Sequence, residues 1–346
     1  MLLGKRERER EWTRTRDYAA ERRAGRPLPD EAPEPQPERQ EPILARPRAR
    51  DLSRRDYLAI LRRAFKEFND DHLANIAAAL AYYAFLAIPS ALMIAVGVFS
   101  VLAGPHAVTA LIAKLHGIMP GQATNLLESS LRNMTQHKGT GLTVLAIGGV
   151  LALWSLTGAM QNLMWATNIA YERDETRGFV RRRITALAMV VFALVGSGLT
   201  LGVLVLGPHL STWIGNAIGA KSVTKLTWYV AEWPLLVVGL LVAFAGLMYL
   251  APDVKHPRWR FLTLGAVVAV VLWLIASGAF AFYASRFGSY NKTWGSLAAV
   301  VVMLTWLWLS SVALLLGAEV NAEAERSREL RRGEPAEVEL SGPRKT

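Results

Sequence analysis

Long apolar runs separated by short charged ones fill most of this chain. The clearest is Leu297–Ala318, 22 residues without a charged side chain. As a helix it is long enough to cross a hydrocarbon layer of about 30 Å. Its flanks are polar: Tyr290, Asn291 and Lys292 precede it, and Glu319, Asn321, Glu323 and Arg326 follow. Five earlier runs of similar character predict spans at about 73–103, 142–169, 184–206, 228–250 and 261–283. The expected fold is all-α, an integral membrane bundle of six transmembrane helices within residues 73–322.

The segments around the bundle have other patterns. Residues 1–52 are rich in Arg, Glu and Pro and cannot bury enough apolar area to offset their ordering entropy, which predicts a disordered tail. Ser53 and Asp56 have capping-box spacing, and Tyr57, Leu58, Leu61, Ala64, Phe65 and Phe68 follow at helical intervals. Arg54, Arg55, Arg62, Arg63 and Lys66 take the rest of the surface. This basic amphipathic helix, residues 53–72, is expected either along the inner membrane surface or packed on the cytoplasmic mouth of the bundle. Apolar turn sets between 104 and 141 predict two short helices at the outer interface, and 323–346 reads as a cytoplasmic tail. Small residues mark packing faces: Ala77, Ala78, Ala79, Ala81 and Ala84 beside Tyr82 and Tyr83, then Gly198 and Gly202 at G-x-x-x-G spacing. Pro89 should kink the first span.

Charge sets the orientation. The chain has 346 residues, only 19% of them charged, and 18 of its 39 Lys and Arg lie in residues 1–75. The loop 171–183 holds Arg173, Arg177, Arg181, Arg182 and Arg183, and 251–260 holds Lys255, Arg258 and Arg260, whereas the alternate loops are poorer in both. Short basic loops stay inside, so both termini are expected to be cytoplasmic (N-in, C-in). The net charge of +11 invites a nucleic-acid reading, but residues 1–75 carry 15 acidic residues beside their 18 basic ones. That mixture suits an anionic lipid surface better than a phosphate-tracking stripe. There are no cysteines, which removes disulfides and thiolate chemistry, and Met1–Arg26 has no apolar core of a signal peptide.

Polar groups at membrane depth are costly, so each is a candidate. Glu232 reads as a proton or cation ligand, or as an interfacial carboxylate paired with Lys225. Gln161, Asn162 and Asn168 read as a polar path or as interhelical hydrogen bonds. Asp71 and Asn75, with Asp70, are helix caps or an inner vestibule. Glu319 and Glu323 form a helix-end charge network with Arg326. Tyr82, Tyr83, Tyr290, Asn291, Lys292 and Asn321 complete the candidate path. No P-loop, His-Glu-x-x-His or G-x-S-x-G motif occurs, and the six histidines lack metal-ligand spacing. No enzyme activity, metal or cofactor is expected.

The run Tyr290-Asn291-Lys292-Thr293-Trp294-Gly295-Ser296-Leu297, with Trp306-Leu307-Trp308-Leu309-Ser310-Ser311 and Gly317-Ala318-Glu319-Val320-Asn321-Ala322-Glu323, resembles the YihY/BrkB family of bacterial inner-membrane proteins. Ala77–Tyr83 and Pro252, Trp259 and Gly265 extend the resemblance over about residues 60–325. Trp294 departs from the Tyr usual there. The resemblance implies a six-helix bundle in the bacterial inner membrane, an old ribonuclease BN label, and suggested links to envelope lipids. Three readings follow: a transporter of a lipid or amphiphile, a non-transporting scaffold or assembly factor, and a ribonuclease, which the missing metal ligands disfavour. The expected partners are membrane lipids and not nucleic acid, with room for a homo-oligomer or an envelope protein.

Overall fold

A computed structural model describes residues 53–103, 141–217, 219–254, 263–286 and 296–332. The disordered tail and the short outer helices expected at 1–52 and 104–140 lie outside these residues, as do Tyr290, Asn291 and Lys292. The regular elements described are all helices: α1 (Arg54–Asp70), α2 (Leu73–Ala103), α3 (Gly141–Ala170), α4 (Phe179–Ala217), α5 (Lys221–Leu250), α6 (Leu264–Arg286) and α7 (Ser296–Arg331). Among the described residues, α2, α4, α5, α6 and α7 are each long and apolar enough to cross a membrane. The helix α3, 30 residues long, carries Gln161, Asn162, Thr167 and Asn168 in its second half.

Several helices outrun their apolar windows. α4 continues past Leu206 to Ala217, and α5 begins at Lys221 instead of Trp228. Between them Gly219 has φ +69, a conformation that glycine adopts without steric cost. α7 does not stop near Ala318 but runs to Arg331, so 323–331 belongs to the bundle and not to a tail. Hydropathy marks where a helix meets lipid, whereas backbone hydrogen bonding carries it on into polar surroundings.

α7 is the hub. It packs against α1, α2, α3, α5 and α6, and the neighbour pairs α2–α3, α3–α4, α4–α5 and α5–α6 complete the ring. The core runs through Leu73, Ala77, Met164, Met189, Met248, Ala269, Leu315 and Ala318. The outer surface is apolar: Val195 and Leu199 on α4, Tyr229 and Trp233 on α5, and Ile275 and Phe282 on α6 are all exposed. In lipid that exposure costs nothing, because the surroundings are as apolar as the side chains.

The small residues sort unevenly. Ala77 and Ala81 are buried, while Ala78 and Ala79 face outward. Gly198 and Gly202 meet nothing, so the G-x-x-x-G pair makes no close helix contact among the described residues. The close approach lies instead between Gly265 of α6 and Gly317 of α7, where the Gly265 N–H donates to Asn321 Oδ1 at 2.9 Å. Beyond it, Trp273 Nε1 donates to Ser310 Oγ (2.9 Å) and Trp306 Nε1 to Ser277 Oγ (3.3 Å), with the two indoles edge-to-face at 5.9 Å. Trp308 Nε1 reaches the carbonyl of Ala74 at 3.1 Å. These tryptophans join helices.

A Cβ on Gly317 would lie 2.6 Å from the Gly265 carbonyl and 2.7 Å from the Ala269 Cβ. Gly317→Ala should therefore lower the thermal stability of detergent-solubilised protein by about 1–3 kcal/mol through overpacking. Gly198→Ala should be neutral or raise stability by up to about 1 kcal/mol through helix propensity. Equal effects at the two sites would show that the packing argument is wrong.

Candidate functional site

The polar residues of the bundle gather at one end. There α1 and the start of α2 meet the α3–α4 turn and the last three turns of α7. Hydrophobic pattern and capping explain how α1 arrives. Ser53 and Asp56 close a reciprocal capping box, with Ser53 N–H to Asp56 Oδ2 at 2.8 Å and Asp56 N–H to Ser53 Oγ at 3.3 Å. Asp56, Ile60, Ala64 and Phe68 form its buried stripe, and Ile60 and Ala64 pack on Val320 and Ala324 of α7. Ion pairs clamp the contact at two points. Arg331 Nη2 lies 2.9 Å from Asp56 Oδ2, and Arg63 Nε lies 2.6 Å from Glu323 Oε2. Arg63 also donates to Ser327 Oγ at 2.7 Å. Of the two expectations for α1, packing on the bundle is the one observed. Its face is rotated from the expected one: Leu58, Leu61 and Phe65 stay exposed.

Two left-handed residues carry the chain into the site. His72 (φ 54) ends α1, and Glu172 (φ 50) follows α3. At the second turn, Glu172 N–H bonds to Ile169 O and Arg173 N–H to Asn168 O, both at 2.8 Å. This is a Schellman closure with glutamate at the position glycine usually fills. The unfavourable φ costs about 1 kcal/mol. It brings the Glu172 carboxylate to Arg326, with which it forms an ion pair. Arg326 Nε also approaches Glu323 Oε1 at 3.2 Å.

The result is a layer of five carboxyl groups, with Glu319 and Glu323 buried, Glu67, Asp71 and Glu172 half-buried, and Arg63 and Arg326 among them. Glu319 and Glu323 are 2% and 1% exposed. Burial pushes the Glu172 carboxyl above the usual carboxylate range; Arg326 opposes the shift, and Glu323 and Asp71 add to it. Burial also raises Glu67, again against Arg326, with Glu172, Glu323 and Asp71 reinforcing the shift. Glu319 Oε1, like Glu172 Oε2, is buried and has no hydrogen-bond partner among the described residues, and Asp71, Glu323, Glu172 and Glu67 are the charges acting on Glu319.

The sequence candidates divide. Asp71 and Glu319 come together in this layer. Asn321, two residues on, serves the α6 contact and lies 3.4 Å from Met248 Sδ. Asn75 is exposed, as are Tyr82 and Tyr83, which form an edge-to-face pair at 5.8 Å. Asn162 donates to Gly158 O of its own helix at 3.0 Å, and Gln161 Nε2 is buried without a partner among the described residues. Glu232 lies about three turns into α5, which starts earlier than its apolar window. Among the described residues no His, Asp and Glu side chains converge as a metal-holding group.

A second network lies mostly outside the sequence candidates. Asn168 donates to Glu175 Oε2 (2.9 Å) and accepts from Asp253 N–H (2.7 Å). Asp253 Oδ2 accepts the Thr176 N–H at 2.9 Å. Arg177 binds Glu175 at 2.6 and 2.8 Å and donates to Ala251 O at 2.7 Å. A cation on the carbonyls ending α5 also meets the negative end of that helix. Arg177, which in sequence only adds to a loop's basic count, thus holds α3 to α5. Its one advance signal is proximity to Glu175.

The comparisons agree with one another. The family model described as Virulence factor BrkB matches residues 64–340. The putative ribonuclease-like protein YfkH of Bacillus subtilis is 30% identical over 211 residues, 61% of this chain and 76% of that protein. A UPF0761 membrane protein of Photobacterium profundum is 27% identical over 288 residues, 81% of this chain and 84% of its own length. A UPF0761 membrane protein of Ralstonia nicotianae is 26% identical over 275 residues, and this chain spans 58% of it. No solved structure matches.

The turns and the layer generate two tests. Exposed His72 makes no ion pair in the layer, so His72→Gly should gain up to about 1 kcal/mol by relieving the positive φ. Glu172→Gly relieves the same φ but takes a partner from buried Arg326, so it should lose about 1–3 kcal/mol in the same melt. Matching signs would refute the role given to Glu172. The raised carboxyls set a pH sign. Folded Glu67 and Glu172 hold protons more tightly than the unfolded chain, so their contribution is full below the ordinary value of 4.5 and is lost as pH rises through the raised values. The melting temperature should therefore fall as pH rises above the ordinary carboxyl value of 4.5, and Glu67→Gln should flatten part of that fall.

Proposed function

The chain belongs to the Virulence factor BrkB family of membrane proteins, and from that premise we propose that it handles or transports a lipid or amphiphile across the cell envelope. In this reading α3 joins the five apolar helices as a sixth span of a multi-pass protein in the bacterial cytoplasmic membrane. The end bearing the carboxylate layer faces the cytoplasm. The basic loops 171–183 and 251–260 support that orientation, and the two loops are tied together through Arg177 and Ala251.

The observation that carries the proposal is Glu319. A buried carboxylate oxygen without a donor costs about 1–3 kcal/mol, and the four other carboxyl groups of the layer worsen its position. A head group that donates hydrogen bonds or carries a positive charge would relieve that cost. An amphiphile with an amine-bearing head group has the required chemistry, and its chains would lie against the apolar outer surface. The ring of helices and the buried polar end suit this use better than catalysis. The ribonuclease-like name belongs to the Bacillus relative; we propose no nuclease activity here, since no three potential ligands converge among the described residues.

The test is lipid movement by purified protein. In liposomes with fluorescent phosphatidylethanolamine, the wild-type chain should equilibrate the probe between leaflets. Glu319→Gln should slow this by about tenfold, equivalent to about 1.4 kcal/mol. Absence of movement, with Glu319→Gln silent in cells and deletion of residues 1–50 abolishing the cellular role, would favour a scaffold instead. Metal-dependent cleavage of transfer RNA by the same preparation would restore the nuclease reading.

A further inference from the structure

We infer that α1 carries a second working face, an apolar stripe with a basic flank that docks onto anionic lipid at the membrane surface. The inference is independent of any transported substrate.

Consider how the 17 residues of α1 are divided. One stripe, Asp56, Ile60, Ala64 and Phe68, is buried in the bundle. Leu58, Leu61 and Phe65 form another at i, i+3 and i+7, and they are 68%, 42% and 62% exposed. Arg55, Arg62 and Lys66, also exposed, lie on the far side of that stripe, with Arg54 at its start. Of the acidic residues on α1, Asp56 is buried against Arg331, Glu67 faces the carboxylate layer, and Asp70 is at the last turn. The apolar stripe and its flank are therefore purely basic over three turns.

Two features identify the occupant as lipid. The first is charge: clustered arginine and lysine beside large apolar side chains match anionic head groups above acyl chains. The second is place. Ile60 and Ala64 of α1 share a cluster with Val320 and Ala324 of α7, against which Leu264 and Val268 of α6 also pack, and α6 exposes Val267 and Val271, side chains that a membrane span presents to lipid. The free stripe of α1 thus lies at the end of the bundle where a spanning helix starts. The other possible covers are residues 1–52 and a second copy of the chain. Residues 1–52 mix 13 basic with 11 acidic residues and offer no long apolar run, so they complement the stripe poorly.

The absence of cysteine makes the test clean. Leu58→Cys, Leu61→Cys, Phe65→Cys and, for comparison, Arg62→Cys and Lys66→Cys are spin-labelled in the full chain. Each is reconstituted in nanodiscs of phosphatidylcholine, with or without phosphatidylglycerol, and its melting temperature is checked to confirm folding. At 58, 61 and 65, oxygen accessibility relative to a water-soluble nickel chelate should exceed that at 62 and 66 by at least threefold, and phosphatidylglycerol should increase the difference. Free access of the chelate to all five labels overturns the proposal. So does protection that ignores lipid charge and disappears on deleting residues 1–50, which would make the tail the occupant. Label–label distances within about 20 Å between copies would assign the face to a second copy and overturn it equally.

Discussion

Everything at the polar end of this protein follows from burying ionised groups on one helix. Glu323, Arg326, Glu329 and Arg331 of α7 are each no more than 5% exposed, beside Glu319 at 2%. A buried charge without a partner costs several kcal/mol, while breaking an existing pair costs about 3–5. The partners come from elsewhere in sequence: Asp56 and Arg63 from α1, and Glu172 from the α3–α4 turn. Each has to be delivered, and the local structure is shaped for delivery. The capping box sets where α1 begins, and Glu172 accepts a left-handed backbone to reach Arg326.

The rest of the bundle obeys a different constraint. Away from this end, helices meet where side chains are small or where a donor finds an acceptor. Gly265 and Gly317 bring α6 against α7, and the crossed Trp–Ser pairs continue the same seam. Lipid gives no hydrophobic drive for helices to associate, so close approach and hydrogen bonds must provide it. The same reasoning explains why the apolar outer faces of α4, α5 and α6 are left uncovered. The seam and the charged layer lie on one helix, and α7 is consequently the element against which five others are placed.

Within that order, two features bear on function: the orphaned oxygen of Glu319 and the exposed stripe of α1. They differ in kind. Glu319 is a polar atom inside a low-dielectric layer, where electrostatic effects are largest. The stripe is an apolar surface at the rim, beside helices whose outer faces are apolar too. A membrane protein that manages amphiphiles needs both a polar contact for head groups and a surface in register with the bilayer. The BrkB family match, from residue 64 onward, takes in Glu319 and the second half of α1.

By itself, the sequence determined that this is a helical membrane protein. It also placed most helices to within a few residues and identified Ser53 with Asp56 as the start of α1. Those properties depend on local composition: apolar length, capping spacing and the clustering of charge. It also marked Asp71 and Glu319, because an ionisable group next to an apolar run stands out. What it could not determine is which faces meet. The G-x-x-x-G pair of α4 and the glycines of the α6–α7 seam are chemically alike, and only the fold leaves one empty and closes the other to backbone contact. Arg177 resembled a topology signal and became a tie between α3 and α5. Asn321 resembled a mouth residue and became a seam residue two positions from Glu319. Such choices rest on pairings between residues 56 to 275 positions apart, as Asn321 with Gly265 and Asp56 with Arg331. No local pattern contains them, so tertiary packing alone decides.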